Sequence, residues 1–371
     1  MDNIGQKFID NKGSIIKVIT IFIVVFVCVF IISKVSTKSS NCSKIAKYAN
    51  KMSYTSLNSG TQICSVNKGN IKDLLLNRVF VKTAHDCCCS GEYRNDYVDF
   101  CALTNCRDEG VRALDFQIYS LKKKPIIASA SVPGNKYKEM YNSLDFYTTM
   151  QKVKRLFLTS ECSNFSDPLF LILRINSSLS ATYEAVFSSL IEIFGSGSST
   201  GNVLFVNTNN VDIGTIPLSN FISQVVICVY AYDAPIFYKS SLSKITALDL
   251  NTSRNKIRYE TEILDLQLTT SPTSNAGKAL SKNANILFPN QQTSSANIDF
   301  VLSGLYYGIT FMGMNFQKAD PIREAYDKLF TKGAFIEKLM DKQVTNSAIV
   351  NSDSTTPLYS INLVDKIAVL N

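Results

Sequence analysis

The N-terminal part of the chain contains one long run of apolar residues. Residues 18–32 (VITIFIVVFVCVFII) carry no charge, and starting the run at Ile15 gives about 18–19 residues, near the ~20 that cross a bilayer core. We predict a short tail over residues 1–14 and a single transmembrane helix over residues 15–33. A cleaved signal peptide is the alternative, but no small-x-small cleavage motif follows Ile32, which favours a retained anchor.

Beyond residue 52, short apolar runs alternate with stretches of helical periodicity. The predicted strands cover residues 78–84, 111–120, 125–131, 168–175, 202–206, 224–232, 286–288 and 310–315. The predicted helices cover residues 144–158, 181–194 and 321–330. Strands separated by helices indicate a parallel sheet, and this number of strands favours a (β/α) barrel over a doubly wound sheet. The polar segments 269–285 and 291–297 are predicted to be loops.

Composition adds charge to this picture. Apolar residues make up 46% of the 371 residues and the net charge is +8, so a sizeable core is expected. A basic, cysteine-containing stalk is predicted over residues 34–75, and it carries Lys34, Lys38, Lys44, Lys47 and Lys51. These lysines favour a cytoplasm-facing domain and contact with anionic lipid headgroups, although a merely solvated stalk is equally compatible. The lysines are dispersed, which gives nucleic-acid binding little support.

Histidine and cysteine limit the chemistry. His85 is the only histidine, which excludes a mechanism that needs two imidazoles and a zinc site built on histidines. The ten cysteines favour an oxidising compartment. Zinc remains an alternative, with Cys87, Cys89, Cys101 and Cys106 as ligands, but their spacing matches no familiar zinc pattern. Sequons at Asn41, Asn164, Asn176 and Asn251 matter only if the domain is lumenal.

Several segments, in order, resemble the phosphatidylinositol-specific phospholipase C superfamily. They are Ala84-His85-Asp86 and residues 109–115 (EGVRALD), 125–129 (PIIAS), 168–174 (PLFLILR), 216–218 (IPL) and 313–317 (GMNFQ). The strings CCCSGEYRNDYVDFCALTNC, KEMYNSLDF and SDPLFLILRINS look closest to phospholipase-C-like proteins of large nucleocytoplasmic DNA viruses. The resemblance implies a TIM-type (β/α)8 barrel over residues 76–345. An X-like block would cover 76–235, a Y-like block 283–340, and residues 346–371 would form an extension.

The resemblance also assigns roles to particular residues. His85 takes the position of the general base, and Ser129 that of a second, missing histidine. Asp86 and Asp115 fall at metal-ligand or orienting positions, whereas Gln117 and Arg174 replace acidic calcium ligands. No cofactor is then expected, and Ca²⁺ only if the residual acidic site functions. Arg174 would bind phosphate, or would form an inert buried ion pair with Asp115, with His85 hydrogen-bonded to one of the two.

The loop that follows His85 and Asp86 begins with three cysteines, and we call it the cysteine loop. Disulfides from Cys87, Cys88 or Cys89 to Cys101 or Cys106 would make the loop at the mouth of the site more rigid.

Three functions follow from the resemblance and its departures. The first is a catalytically defective, membrane-anchored structural protein, with a capsid or membrane protein as partner. The second is an active phosphoric diester hydrolase, and the third is a phosphoinositide-binding module without turnover. The expected location is a membrane crossed once, with the viral resemblance implying a virion membrane or a host endomembrane.

Overall fold

The structure is a computed structural model that describes residues 12–49, 52–54, 56–60, 62, 69–132, 134, 136–195, 203–208, 211–271, 274–290 and 296–338. Lys51, Cys64 and the predicted extension over residues 346–371 lie outside the described residues. The chain forms two compact units, residues 1–44 and residues 45–371.

All described residues of the first unit belong to helix α1, Lys12–Tyr48. Among the described residues, this is the one helix that is long and apolar enough, over Ile16–Tyr48, to cross a membrane. Its apolar side chains from Ile16 to Ile32 are exposed, including Phe22 and Phe26. The helix continues past residue 33, so the part of the predicted stalk up to Tyr48 is helical.

The second unit alternates strands and helices. Its strands are β1 Val79–Ala84, β2 Ala113–Leu121, β3 Lys124–Ile127, β4 Leu144–Asp145, β5 Leu169–Ile175, β6 Val225–Ala231, β7 Leu248–Asp249, β8 Ile257–Tyr259, β9 Ile286–Phe288, β10 Phe311–Met314 and β11 Phe335–Glu337. Its helices are α2 Phe100–Asp108, α3 Phe146–Phe157, α4 Ser180–Phe194, α5 Ala234–Lys239, α6 Glu260–Gln267, α7 Asn275–Lys282 and α8 Pro321–Leu329. Short 3₁₀ turns lie at Leu57–Ser59, Ile71–Asp73, Leu76–Arg78, Ile213–Thr215, Leu218–Phe221 and Ser241–Ile245, and a π-helical turn at Val301–Leu305.

The strands form one sheet in the order β7-β6-β5-β2-β1-β10-β9-β8, and all neighbours along this path are parallel. The predicted parallel α/β sheet is thereby confirmed. The path ends at β7 and β8, which among the described residues are linked only by an antiparallel bridge between Asn251 and Lys256. The structure therefore shows a barrel-like parallel sheet, and closure into a full (β/α)8 barrel remains a prediction.

The alternation of side chains along each strand builds two cores. On β1, Val79 and Val81 belong to the cluster on the concave side of the sheet, whereas Phe80 packs on the helix side. On β5, Phe170 and Ile172 lie on the concave side in the same way. Because both faces of the sheet are covered, every residue of β1 and of β5 is buried, as is typical of parallel sheets.

Three predicted elements differ from the structure. Residues 124–127 form an antiparallel hairpin with β2, not a barrel strand, because a two-residue turn at Lys122 and Lys123 reverses the chain. The segment 269–285, predicted as a loop, contains helix α7. Ser274 caps the N-terminus of this helix, because its side chain accepts a hydrogen bond from the Gly277 N–H at 3.1 Å. Within residues 202–206, the described part has only a single bridge at Leu204.

Candidate functional site

The alternation of side chains brings four predicted residues to one place. Asp115 shares the concave face of β2 with Ala113, Arg174 shares that of β5 with Ile172, and His85 follows the last residue of β1. Parallel strands present their carboxyl ends at the same edge of the sheet. His85, Asp86, Asp115 and Arg174 therefore meet there, and none is more than 3% exposed.

Arg174 is the centre of this cluster. Its Nε donates to Asp115 Oδ1 at 2.8 Å, and its Nη2 donates to Asp115 Oδ2 at 2.6 Å and Asp86 Oδ1 at 2.8 Å. The same Nη2 lies 3.2 Å from His85 Nε2. Burial alone would lower the pKa of Arg174, but the carboxylates of Asp115 and Asp86 outweigh it and raise that pKa well above the usual value. The guanidinium of Arg174 is thus charged and is held between Asp115 and Asp86.

Asp86 reaches the cluster through an unusual backbone conformation. Its φ is +43°, in the left-handed region that few residues other than glycine, asparagine and aspartate adopt. This turn directs the Asp86 N–H to Asp115 Oδ2 at 2.9 Å and lets Gln117 Nε2 donate to Asp86 Oδ2 at 2.8 Å. Aspartate tolerates this conformation better than most residues, and these contacts hold it in place.

The donor set does not fit Ca²⁺. His85, Asp86 and Asp115 place potential ligand atoms within 4.8 Å of one another. However, all four carboxylate oxygens of the two aspartates already accept hydrogen bonds from Arg174, Gln117 or the Asp86 N–H. Calcium needs six to eight oxygen ligands, and a guanidinium among the carboxylates repels it.

His85 is held on both ring nitrogens. Nδ1 lies 3.0 Å from Tyr93 Oη and 3.1 Å from Asn315 Oδ1, while Nε2 faces Arg174. A guanidinium only donates, so the hydrogen-bond network assigns the proton to Nδ1 and the lone pair to Nε2. Burial and then the Arg174 charge lower the pKa of His85 well below its usual value. The imidazole is therefore neutral, and the lone pair of its Nε2 faces the guanidinium.

A glycine beneath His85 allows this packing. A Cβ on Gly313 would lie 2.6 Å from the Phe288 ring and 3.2 Å from the Cβ of His85. With no side chain there, the Phe288 ring sits 4.6 Å from the imidazole and 5.0 Å from the Arg174 guanidinium carbon. An aromatic face opposite a cation is favourable, so Phe288 closes one side of the cluster.

Ser129 is not joined to the other four residues. It lies two residues beyond β3, is buried, and its carbonyl accepts from the Glu139 N–H at 3.0 Å. Among the described residues, no hydrogen bond links it to His85, Asp86, Asp115 or Arg174.

Sequence reasoning missed the residues that hold the cluster from outside it. Tyr93 Oη donates to Asn315 Oδ1 at 2.5 Å, and Tyr119 Oη donates to Gln117 Oε1 at 2.6 Å. Asn315 lies in the segment GMNFQ, which carried part of the resemblance, so its position was a usable signal. Tyr93 and Tyr119 lie in segments without a recognisable motif, and only the fold brings them to the site.

The cysteine loop does not contain the expected disulfides. Cys87, Cys88, Cys89 and Cys106 are free and buried, whereas Cys101 is disulfide-bonded. The prediction of bridges from residues 87–89 to Cys101 or Cys106 is therefore wrong. Burial also raises the pKa of Cys87, Cys89 and Cys106, so these are neutral thiols packed in the core, and the proposed zinc set does not come together among the described residues.

Comparison with known proteins supports the fold at a coarse level. No protein-family model and no curated protein matches the chain. Crystal structures of PLC21 from L. pealei and from S. officinalis are similar, each with a TM-score of 0.55, at 13% and 12% identity respectively. Each match covers 77% of this chain, which spans only 40% of the length of those proteins. A phosphatidylinositol-specific phospholipase C from Listeria monocytogenes also matches, at 13% identity and a TM-score of 0.38, over 66% of this chain and 92% of that one.

The two PLC21 structures define the class of fold. The second unit has a fold of the phospholipase C type, as the resemblance in the sequence implied, and the likeness extends to the fold alone.

Proposed function

We propose that this chain is a membrane-anchored, phospholipase-C-like protein that does not hydrolyse phosphodiesters and acts as a structural or interaction component. The observation that supports this most directly is the position of Arg174. Its guanidinium satisfies the aspartates that would otherwise bind a metal and covers the lone pair of the only histidine. The cluster is therefore suited to hold the sheet together and poorly suited to proton transfer.

General acid–base cleavage would need a base and an acid at this edge of the sheet. A base with a strongly lowered pKa accepts protons weakly, and His85 is also buried. Ser129, in the position of the second histidine, is a poor acid near neutral pH unless another group activates it. Losing such a catalyst typically costs about 10²–10⁴-fold in rate.

Headgroup binding without turnover is the second candidate. The Nη1 group of Arg174 makes no hydrogen bond to a described residue, although Nε and Nη2 are fully engaged. A phosphate at the carboxyl edge of the sheet could accept from it. Active hydrolysis is the remaining alternative, and the phospholipase C type of fold supports it.

For location and partners we propose a membrane crossed once by α1, with the basic residues from Lys34 to Lys51 near anionic lipid. The resemblance of the sequence to viral phospholipase-C-like proteins supports a virion membrane or a host endomembrane. A capsid or membrane protein is then the expected protein partner.

The test is phosphodiesterase activity of the full chain in nanodiscs that contain phosphatidylinositol, with calcium and with a chelator. We expect no diacylglycerol release above a disc without protein. Release that His85→Ala abolishes would overturn the proposal in favour of hydrolysis. Without release, titration with an inositol phosphate separates the other two functions, because only the headgroup-binding module gives saturable binding.

A further inference from the structure

The hairpin between β2 and β3 extends past the carboxyl edge of the sheet. Ile118 of β2 pairs with Ile175, the last residue of β5, and β2 continues to Leu121. Three further residues, at about 3.3 Å each, carry the tip roughly 10 Å past the end of the neighbouring strand. The tip consists of residues 121–124, Leu-Lys-Lys-Lys, and all four are exposed.

The turn at this tip has a backbone that lysine rarely adopts. Leu121 pairs with Lys124, so Lys122 and Lys123 form a two-residue loop, with φ values of +50° and +66°. Positive φ at both central positions is the type I′ pattern, which strongly prefers Asn-Gly. Packing does not offset the free-energy cost of this backbone conformation, because both lysine side chains are exposed. A strained turn made of two exposed lysines points to a role outside the fold.

Charge and apolar surface at the tip indicate the kind of partner. No described acidic side chain forms an ion pair with Lys122, Lys123 or Lys124. Leu121 beside them is 48% exposed. Three unpaired positive charges next to an exposed leucine match an anionic lipid surface, where lysines meet headgroups and an apolar side chain enters the interface.

The loop after β3 carries the same chemistry at the same edge of the sheet. Lys136 Nζ lies 4.7 Å from the centre of the Tyr232 ring, which directly follows β6. Tyr137, the next residue in that loop, is 78% exposed. Tyrosine and lysine together are typical of the headgroup level of a bilayer, whereas a highly solvated acidic partner would gain nothing from the exposed leucine.

We propose that the β2–β3 tip, residues 121–124, is a contact site for anionic lipid. It is distinct from the buried Arg174 cluster and from α1, and it does not depend on whether the cluster is active.

The absence of tryptophan from the chain makes the test direct. Leu121→Trp places a single fluorescent reporter at the tip of the full chain in phosphatidylcholine nanodiscs. We expect its emission maximum to shift to the blue when phosphatidylserine is included in the discs or when phosphatidylserine vesicles are added. High salt should reverse the shift, and Lys122→Glu, Lys123→Glu and Lys124→Glu together should abolish it.

The matched control is Leu268→Trp. Leu268 is 85% exposed and follows the last residue of α6, and because a helix after a parallel strand runs back, it lies towards the opposite edge of the sheet. Its emission should be the same with and without phosphatidylserine. No shift of Leu121→Trp in either format overturns the proposal, and so does an equal shift of both reporters.

Discussion

The guanidinium of Arg174 donates to both oxygens of Asp115 and to one of Asp86 while all three side chains are almost fully buried. A buried pair adds little compared with an apolar replacement, but removing one partner leaves an uncompensated charge in the core. Here the loss of Arg174 alone would leave two buried carboxylates, those of Asp86 and Asp115, without a counter-charge. This asymmetry makes Arg174 the residue whose removal is most costly.

We therefore expect Arg174→Ala to lower the free energy of unfolding by about 3–5 kcal/mol. Urea unfolding of the full chain in detergent, followed by circular dichroism, measures it. Arg155→Ala, an exposed arginine on α3, is the matched control and should change stability by less than about 0.5 kcal/mol. A loss below about 1 kcal/mol for Arg174→Ala would show that water or another side chain compensates the aspartates.

His85 predicts a pH dependence with a definite sign. Its pKa is lowered in the folded protein, so below pH 6.5 the unfolded chain binds a proton that the folded chain does not. The free energy of unfolding is therefore unaffected by His85 above pH 6.5. Below that pH it decreases as the pH falls, by at most about 1.4 kcal/mol per pH unit. Stability curves from pH 7 to pH 5 test this, and the difference from His85→Gln isolates it, because no second histidine contributes. A flat difference would contradict the prediction.

At the residue scale, the sequence identified the residues of the cluster but left open how they contact one another. His85, Asp115 and Arg174 could be placed together because all three fall in segments that resemble the same family. The sequence left open whether Arg174 binds phosphate or forms an ion pair with Asp115, with His85 hydrogen-bonded to one of the two. It also gave no sign of the positive φ of Asp86. Both depend on how β1, β2 and β5 align, and a one-residue change of register would send these side chains to the other face.

At the element scale, the predictions were most accurate for strands buried on both faces. Residues 168–175 and 286–288 were close to the observed β5 and β9, because a continuous apolar run allows few other structures. Helix α7 was missed because half of its sequence, NAGKALSK, is polar and Leu280 is the only large apolar side chain that it buries. Strands β7 and β8 are too short to give a periodic signal.

The turn of the β2–β3 hairpin gives a prediction at this scale. Replacing Lys122 by Asn and Lys123 by Gly keeps the type I′ geometry but removes the strain of two lysines in the left-handed region. We expect a gain in the free energy of unfolding of about 1 kcal/mol, measured by urea unfolding. The control is the same pair at Lys278 and Ala279 within α7, where Asn-Gly should destabilise. Unchanged or reduced stability of the turn variant would mean that the lysines are not strained.

At the scale of the whole molecule, the domain places its reactive groups inside. Six free cysteines (Cys87, Cys88, Cys89, Cys106, Cys162 and Cys228) are buried. Two of the three sequon asparagines in this domain are buried as well: Asn164 Nδ2 donates to the Gly110 carbonyl at 3.2 Å, and Asn176 Nδ2 donates to Gln117 Oε1 at 3.2 Å. Neither can carry a glycan in the folded domain. The expectation of an oxidising compartment therefore gains no support from these six thiols.

Calcium independence is the last property of the whole molecule that the cluster predicts. Because a fixed guanidinium lies among the carboxylates, calcium or a chelator should leave the thermal midpoint of the full chain unchanged.

Arg174→Glu reverses the charge and gathers three carboxylates, from Asp86, Asp115 and residue 174. Such a cluster of negative charges is unstable without a cation. We expect this variant to be strongly destabilised in chelator and to regain about 2.7 kcal/mol when calcium reaches 100 times its dissociation constant. Arg174→Gln is the control, since it removes the cation without adding a ligand and should respond little. A calcium-dependent midpoint in the unaltered chain would mean that the metal enters beside Arg174, and the account of the site given by its hydrogen bonds would then be wrong.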